Sequence, residues 1–178
     1  MSFWDRTTPP KRRRHEVTLA EAHAVWQAII EGEGGACPCC GRFGKIYERQ
    51  FNATMAKSLI WLANTHTEDP EDWVHVPSVA PKSIVRTNQL ATTRWWGLIE
   101  RMPGGGDLKT KHSGFWRTTR RGRRFSRGLI LIPFSVFTYA GEVVRRSEEL
   151  VSLEDTFATP FDYQQVMGEY GPEEGRLI

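Results

Sequence analysis

The sequence predicts an α+β fold in which helices alternate with short strands. Three features predict it: two amphipathic helical stretches before residue 66, alternating helical and strand-like segments across residues 73–128, and a β-rich stretch from residue 129. Apolar residues make up 39% of the 178 residues, and seven tryptophans add bulk, so the chain can form a packed core. We expect a basic arm (1–16), a helix with a cysteine turn (17–50), a central domain (51–128) and a C-terminal segment (129–178).

The N-terminal part combines an arm and one helix. Residues 1–16 contain a double proline and the run KRRR with little apolar content, which predicts a flexible basic arm. In TLAEAHAVWQAIIEG the apolar residues recur at helical spacing. Thr18 and Glu21 have the spacing of a capping box, and Gly32 is placed to end the helix.

A cysteine turn, CPCCG, follows this helix. Cys37 and Cys40 have the spacing of a zinc knuckle, in which a tight turn directs two thiolates at one ion. A structural zinc takes four ligands, and the sequence has no second CxxC. The other ligands would be histidines or a second subunit, with these candidates: His15, His23, His66, His75 and His112. One structural zinc is therefore one interpretation, and a packed pair of reduced thiols or a redox pair are the alternatives.

The central domain begins with a helix and a short strand. The stretch NATMAKSLIWLANT has a buried apolar stripe, and Asn52 is placed to cap it. The stretch WVHV predicts a short strand that Pro77 ends. A short helix is expected from about Pro81, followed by a turn near Thr87.

The second half of the central domain surrounds a glycine-rich loop. A helix over about residues 88–96 should end at Gly97, and LIER follows as a strand. MPGGGDLKTKHSG predicts a loop, FWRTT a strand, and RRGRRFSR a short basic helix capped by Thr118 or Thr119. We expect the aromatic residues of these elements to pack in the core and hairpin, with a stacking platform for single-stranded bases as the alternative: Trp95, Trp96, Phe115 and Trp116.

The C-terminal segment predicts a β-hairpin and short helices. LILIPFSVFTYAGEVV is β-rich, with a turn expected at Ala140-Gly141. The acidic stretch SLEDTFATPFDYQQVMGEY could form two short helices, the second capped by Asp162.

Charge is distributed unevenly although the formal net charge is +3. Residues 101–127 contain nine Lys or Arg and one Asp, a balance of +8, whereas residues 142–178 contain nine Asp or Glu and three Arg, a balance of −6. The middle of the chain would attract a polyanion. Alternatively the acidic tail neutralises the basic helix within the monomer or across a dimer, through these carboxylates: Glu148, Glu149, Glu154 and Asp155.

Two motifs carry a family resemblance: TTRWWGLIER at residues 92–101 and FWRTTRRGRRF at residues 115–125. With this order of elements, residues 55–128 resemble winged helix-turn-helix transcription factors of the MarR type. In that family a recognition helix ends in a glycine before a strand, and the strand after the wing runs into LTxxG[KR]. Here the helix at about residues 81–86 is shorter, and the wing tip PGGGDLKTKHSG longer, than in the family. The chain is also similar to uncharacterised bacteriophage proteins that combine a cysteine knuckle with a WGLIE…GFWR segment, which implies no function.

The resemblance implies a surface that binds duplex DNA, with RNA as an alternative partner. For base reading we expect side chains that match adenine and guanine edges: Asn88, Gln89, Thr92, Thr93 and Arg94. For the phosphate backbone we expect the cations of the wing and the helix behind it: Lys109, Lys111, Arg117, Arg120, Arg121, Arg123 and Arg124.

We therefore expect a cytoplasmic regulator of viral or bacterial type that occupies a DNA site, with a homodimer through the N-terminal helix as one assembly. The alternative is a viral interaction module that inhibits a host nucleic-acid or defence machine on the same scaffold. No GxxxxGK[ST], GxSxG or HExxH motif occurs, and the acidic loop at residues 68–72 is interpreted as solvated charge, so no enzyme is expected. No apolar run approaches the roughly 20 residues of a membrane span.

Overall fold

The computed structural model describes residues 18–65, 72–103 and 114–157, together with Asp162. Within these ranges the fold is mixed α+β, as the sequence predicts. Its helices are α1 (Leu19–Glu31), α2 (Ala53–Thr65), α3 (Val76–Val79), α4 (Lys82–Thr87) and α5 (Arg120–Ser126), with 3-10 helices at Leu90–Trp96 and Glu154–Thr156. Its strands are β1 (Gly35–Ala36), β2 (Phe43–Gly44), β3 (Tyr47–Gln50), β4 (Val74–His75), β5 (Ile99–Arg101), β6 (Phe115–Thr118), β7 (Ile132–Pro133), β8 (Ser135–Tyr139), β9 (Glu142–Arg146) and β10 (Leu150–Val151).

The described strands form four small antiparallel sheets, β1–β2, β7–β10, β3–β8–β9 and β4–β6–β5. The chain divides into two compact units, residues 1–46 and residues 47–178. Residues 47–50, which the sequence groups with the N-terminal helix, form β3 and pair with β8 in the second unit. The basic arm at 1–16, most of the glycine-rich loop and the second helix of the acidic tail lie outside the described residues.

The first unit contains α1 and the β1–β2 hairpin. The predicted capping box is present: the Thr18 hydroxyl accepts from the Glu21 N–H, and the Glu21 carboxylate accepts from the Thr18 N–H at 2.8 Å. These bonds hold the pKa of Glu21 below its ordinary value, because the backbone N–H and the hydroxyl of Thr18 both donate to the ionised carboxylate. Gly32 ends α1, as predicted.

The core of the second unit is built around α2. Leu59, Ile60 and Leu62 are fully buried, and α2 packs against α5, β6 and the 3-10 helix Leu90–Trp96. The side chain of Asn52 accepts from the N–H of Met55 at 3.1 Å, which confirms the predicted cap. A helix of 13 residues is thereby fixed at its start by one side chain and along its length by apolar packing.

A ring cluster closes the core beside α2. The Phe51 ring makes edge-to-face contacts with Trp96 at 5.3 Å and with Phe125 at 5.2 Å between centroids. The indole N–H of Trp96 donates to the Pro133 carbonyl at 2.7 Å. Trp96 is therefore a core residue, as the sequence predicts.

In the sheet β4–β6–β5, β6 is the central strand, although it is the last of the three in chain order. The predicted strand at residues 73–76 is shorter than expected: β4 ends at His75, and Val76 begins α3. Pro77 lies in the first turn of α3, where its missing N–H breaks no helical bond. The helix α5 follows β6 and is capped by the Thr119 hydroxyl, which accepts from the Gly122 N–H at 3.0 Å.

The helix predicted at about residues 88–96 begins later than expected and is of a different type. Asn88 has a left-handed backbone, with φ of 52°, and ends α4, so the next helix begins at Leu90. The segment Leu90–Trp96 forms a 3-10 helix, and its two threonines and two tryptophans are residues that lose side-chain freedom in an α-helix. Gly97, with φ of 70°, ends it as predicted.

The C-terminal hairpin matches its prediction. Ala140 and Gly141 both have positive φ, 52° and 86°, and connect β8 to β9 as a two-residue turn. The first short helix expected in the acidic tail is the 3-10 helix Glu154–Thr156. In the part of the chain that the structure describes, no helix combines the length and apolar character needed to cross a bilayer.

Candidate nucleic-acid interface

The basic helix α5 is held against the junction between the 3-10 helix and β5. A Cβ atom on Gly122 would lie 1.9 Å from the carbonyl oxygen of Leu98, so glycine alone permits this approach. The Thr119 hydroxyl donates to the Gly97 carbonyl at 2.7 Å, and the Thr119 N–H donates to the Leu98 carbonyl at 3.0 Å. The start of α5 is thus fixed to the residue that ends the 3-10 helix.

Three arginines of α5 point away from the core. Arg120, Arg121 and Arg124 are exposed, and within residues 18–65, 72–103 and 114–157 none of them forms an ion pair. The Arg121 Cδ atom lies 4.0 Å from the position that a Cβ on Gly97 would occupy. The side chain of Arg121 therefore lies beside the end of the 3-10 helix, which also carries the exposed Arg94.

Two other predicted phosphate ligands are engaged within the fold. The Nε atom of Arg117 lies 2.6 Å from the Glu100 carboxylate, and its guanidinium lies 4.5 Å from the centre of the Trp73 ring. Arg123 is half-buried and donates to the Thr118 carbonyl at 2.8 Å. Both side chains are oriented by bonds within the protein, and their assignment as phosphate contacts stays a prediction. Lys109 and Lys111 lie outside the described residues.

The assignment of Thr93 as a base-reading residue is corrected. It is fully buried, and its hydroxyl donates to the Leu90 carbonyl at 2.8 Å, so its side chain belongs to the core. Arg94 is exposed and Thr92 is half-buried. Asn88 is exposed at the rim of a cleft with Trp116, and Gln89 lies in a second cleft, beside the start of α2.

Two arginines contact the ring of one tryptophan beside this surface. The guanidinium groups of Arg49 and Arg94 lie 4.5 Å and 5.4 Å from the centre of the Trp95 ring. Arg49 comes from β3, whose partner β8 is more than 80 residues away, so no local pattern in the sequence could find this contact. The half-buried Trp95 is thus a stacking surface for cations, a role that sequence reasoning missed.

The other two aromatics of the hairpin pack where the sequence predicts. Phe115 is half-buried, with its ring 4.7 Å from that of His75, and Trp116 packs against the core. The β4–β6 pairing brings His75 and Phe115 together. Hairpin packing is therefore confirmed for these two residues.

Four carboxylates of the C-terminal segment are the predicted neutralising partners of α5, and all four are described. Asp155 accepts hydrogen bonds from the backbone N–H and hydroxyl of Ser152, each at 2.8 Å, and these bonds lower its pKa from the ordinary value. Glu148, Glu149 and Glu154 are exposed, and in the described ranges none of them forms an ion pair with Arg120, Arg121 or Arg124. These three arginines of α5 are exposed to solvent.

The cysteine turn lies in the first unit. Cys37 is half-buried, and Cys39 and Cys40 are exposed. The backbone N–H groups of Cys40 and Cys39 donate to the Cys37 sulfur and lower the pKa of that thiol. Among the residues that the structure describes, no group of three or more His, Cys, Asp or Glu side chains is arranged to hold a metal ion.

Of the histidines considered as further zinc ligands, two are described. The imidazole of His23 lies 3.4 Å from the amide of Gln27, and that of His75 lies 2.5 Å from the hydroxyl of Ser78. His15, His66 and His112 lie outside the described residues.

Comparison with known proteins adds no relative: no family model matches the chain, and neither the curated proteins nor the solved structures include a significant match. The function therefore has to be argued from the interface itself.

Proposed function

We propose that this chain binds duplex DNA through the surface formed by α5 and the 3-10 helix Leu90–Trp96. The observation that carries the proposal is the set of exposed guanidinium groups at one rigid junction, Arg94 on the 3-10 helix and Arg120, Arg121 and Arg124 on α5. Duplex DNA presents closely spaced phosphates, and arginines whose backbone positions are held together at one junction can reach several of them at once.

The order of elements supports a winged-helix arrangement. The helix α2, strand β4, helices α3 and α4, the 3-10 helix and β5 follow one another, and β6 returns between β4 and β5. In a winged helix the element before the second strand enters the major groove and the loop after that strand flanks the DNA. The 3-10 helix and residues 102–114 hold those two positions in the chain.

In the proposed interface, four side chains remain as candidates for reading bases. Thr93 is in the core, so the proposal retains Arg94 together with Asn88, Gln89 and Thr92. Arg94 is the side chain with the strongest potential for base discrimination, because a guanidinium can bind the two acceptors of guanine. Most of the affinity would come from phosphates, which predicts modest sequence preference and strong salt dependence.

Contact with Trp95 supports one further phosphate contact, Arg49. A guanidinium over an indole is restricted in orientation while N–H groups at its edge stay available. Arg49 joins the surface from β3, because its guanidinium and that of Arg94 both lie over the Trp95 ring. We include Arg49 and Arg94 with the α5 arginines in the proposed interface.

The cellular role that fits is occupation of a DNA site in the cytoplasm of a bacterium, as a regulator of viral or bacterial type. A basic surface of this kind would act by occupying the site and excluding other proteins from it. In this setting the three cysteines are kept as thiols or metal ligands.

A salt-dependent titration tests the proposal. The full chain and the triple variant Arg120→Gln, Arg121→Gln, Arg124→Gln are titrated against a fluorescent DNA duplex at several salt concentrations. Removing three phosphate contacts should reduce the slope of log K against log salt by about 2.7, since each contact contributes about 0.9. When salt rises fourfold, the fold-loss of affinity of the wild type should therefore be about 40 times that of the variant.

Arg145→Gln is the matched control. Arg145 is exposed, stacks on Phe137 at 4.0 Å and pairs across strands with it. Arg49 pairs with Val136, the neighbour of Phe137, so Arg145 and Arg49 project from opposite faces of the β3–β8–β9 sheet. Equal slopes for the triple variant and wild type, or the same loss in Arg145→Gln, would contradict the proposed interface.

A further inference from the structure

A cleft of about 310 Å³ lies between the helices α3 and α4, the start of the 3-10 helix and the strands β5 and β6. Ligand clefts in proteins span about 300–1,000 Å³, so this one suits a small molecule. Most of its lining is aliphatic: Val76, Pro77, Ile84, Val85, Leu90 and Ala91. Such walls favour an apolar ligand body, because its burial removes apolar surface from water.

Backbone contacts hold the elements around the cleft in place. Gly114 has a φ of 88°, and a Cβ atom there would lie 2.9 Å from the Cδ and Cγ atoms of Pro77, so glycine permits the start of β6 to approach α3. The N–H of Val76 donates to the Gly114 carbonyl at 3.0 Å. Asn88, with its left-handed backbone, ends α4 and turns the chain into the 3-10 helix. The cleft is therefore a feature of the folded backbone.

Two polar side chains belong to the lining of the cleft, Arg101 and Asn88. Arg101 lies directly opposite Trp116 across β5 and β6, so both side chains project from the same face of the sheet. Among the described residues that line the cleft, Arg101 is the one ionisable side chain, and none is acidic. The neighbouring carboxylate, that of Glu100, lies 2.6 Å from the Nε atom of Arg117.

This combination of groups specifies the chemistry of a ligand. A guanidinium matches the geometry of a carboxylate and forms charge-assisted hydrogen bonds with it, and the Asn88 amide can donate a further bond. We propose that the cleft binds a small carboxylate with an aliphatic body, its charged end at Arg101 and Asn88 and its body against the side chains of Ile84 and Leu90. The site differs from the DNA surface in taking a single small molecule.

The proposal is tested by NMR titration of the isotope-labelled full chain with hexanoate. Hexan-1-ol has the same body without the charge, and acetate has the same charge without the body. Arg101→Gln removes the cation of the cleft, and Arg145→Gln removes an exposed arginine of the β3–β8–β9 sheet as the matched control. Ala91→Leu adds side-chain volume to the lining, and the dispersion of each spectrum shows whether the variant is folded.

We expect hexanoate to shift the amides of residues 84–91, 101 and 114–116 and the indole N–H of Trp116. Hexan-1-ol, acetate and the Arg101→Gln protein should each show affinity weaker by about tenfold or more, because a charge-assisted bond or the apolar burial is lost. Arg145→Gln should bind as the wild type does, and folded Ala91→Leu should bind more weakly.

A wild type that hexanoate leaves unshifted would overturn the proposal, as would shifts confined to residues outside the cleft. Equal affinity for hexanoate and hexan-1-ol, or equal binding by Arg101→Gln and Arg145→Gln, would overturn the assigned role of the cation. Should Ala91→Leu fail to fold, the comparison of the two arginine variants still decides, since both side chains are exposed. No DNA enters these measurements, so their outcome is independent of the proposed DNA-binding function.

Discussion

Replacing Gly122 by alanine tests the contact that holds α5 against the backbone of Leu98, just before β5. The new Cβ would lie 1.9 Å from the Leu98 carbonyl oxygen and 2.8 Å from its carbonyl carbon. Carbon and oxygen in van der Waals contact are about 3.4 Å apart, so α5 and the Leu98 backbone must separate by about 1.5 Å. Because the obstructing atoms are backbone, no side-chain rotation relieves the clash.

The expected loss of stability follows from that geometry. Overpacking of this kind reduces stability by about 1–3 kcal/mol. Moving α5 also weakens the two bonds from Thr119 to the carbonyls of Gly97 and Leu98, at about 0.5–1.5 kcal/mol each. Alanine favours a helix over glycine by about 1 kcal/mol, which opposes the loss. We expect a net destabilisation of about 2–4 kcal/mol.

Urea unfolding of the full chain measures this loss through the transition midpoint. Gly128→Ala is the matched control, since Gly128 has a φ of 69° with nothing within 4 Å of its added Cβ. That variant should lose only the left-handed backbone preference, about 1–2 kcal/mol. DNA affinity at constant salt should also fall for Gly122→Ala, because the arginines of α5 move relative to Arg94. A Gly122→Ala protein as stable as Gly128→Ala would refute the close approach.

Three further predictions concern single side chains. Thr119→Ala removes the cap of α5 and the bond to Gly97, so urea unfolding should show a loss of about 1–2 kcal/mol that Thr119→Ser largely restores. Trp96→Phe removes the donor to the carbonyl of the half-buried Pro133, and a loss of about 1–3 kcal/mol is expected in the same assay; a loss no greater than that of an exposed substitution would contradict the bond. The pKa of Glu21 is depressed in the folded state, so its stabilisation of α1 is present above the ordinary value of 4.5 and is lost as pH falls through the folded value. An acid titration by far-UV circular dichroism should show this loss in the wild type and not in Glu21→Gln, and identical titrations would refute it.

Features that depend on neighbouring residues were predictable from the sequence. The box formed by Thr18 and Glu21, the cap at Asn52, the stop at Gly97 and the turn at Ala140-Gly141 are each built within four residues. Their physical causes are a side chain that satisfies a free N–H or a backbone angle that few residues tolerate. Such causes act in the same way in any fold.

Features that depend on distant pairing were not predictable. Thr93 has the polarity of a surface residue, and the packing of the 3-10 helix against α2 is what buries it. Arg117 and Glu100 meet because β5 and β6 pair in that register. Arg49 lies over Trp95 in the fold where β3 pairs with β8, and the sequence predicts no strand at residues 47–50. The sequence thus revealed that a basic surface exists and could not determine which arginines are free to form it.

An NMR titration of the isotope-labelled full chain with a DNA duplex tests most directly whether the 3-10 helix and α5 form one binding surface. Backbone amide shifts should cluster at residues 88–97 and 119–127, with an additional shift at Arg49, and should diminish together as salt is raised. Shifts confined to residues 142–157, or to only one of the two clusters, would contradict the shared surface, and an unchanged spectrum at low salt would contradict DNA binding itself.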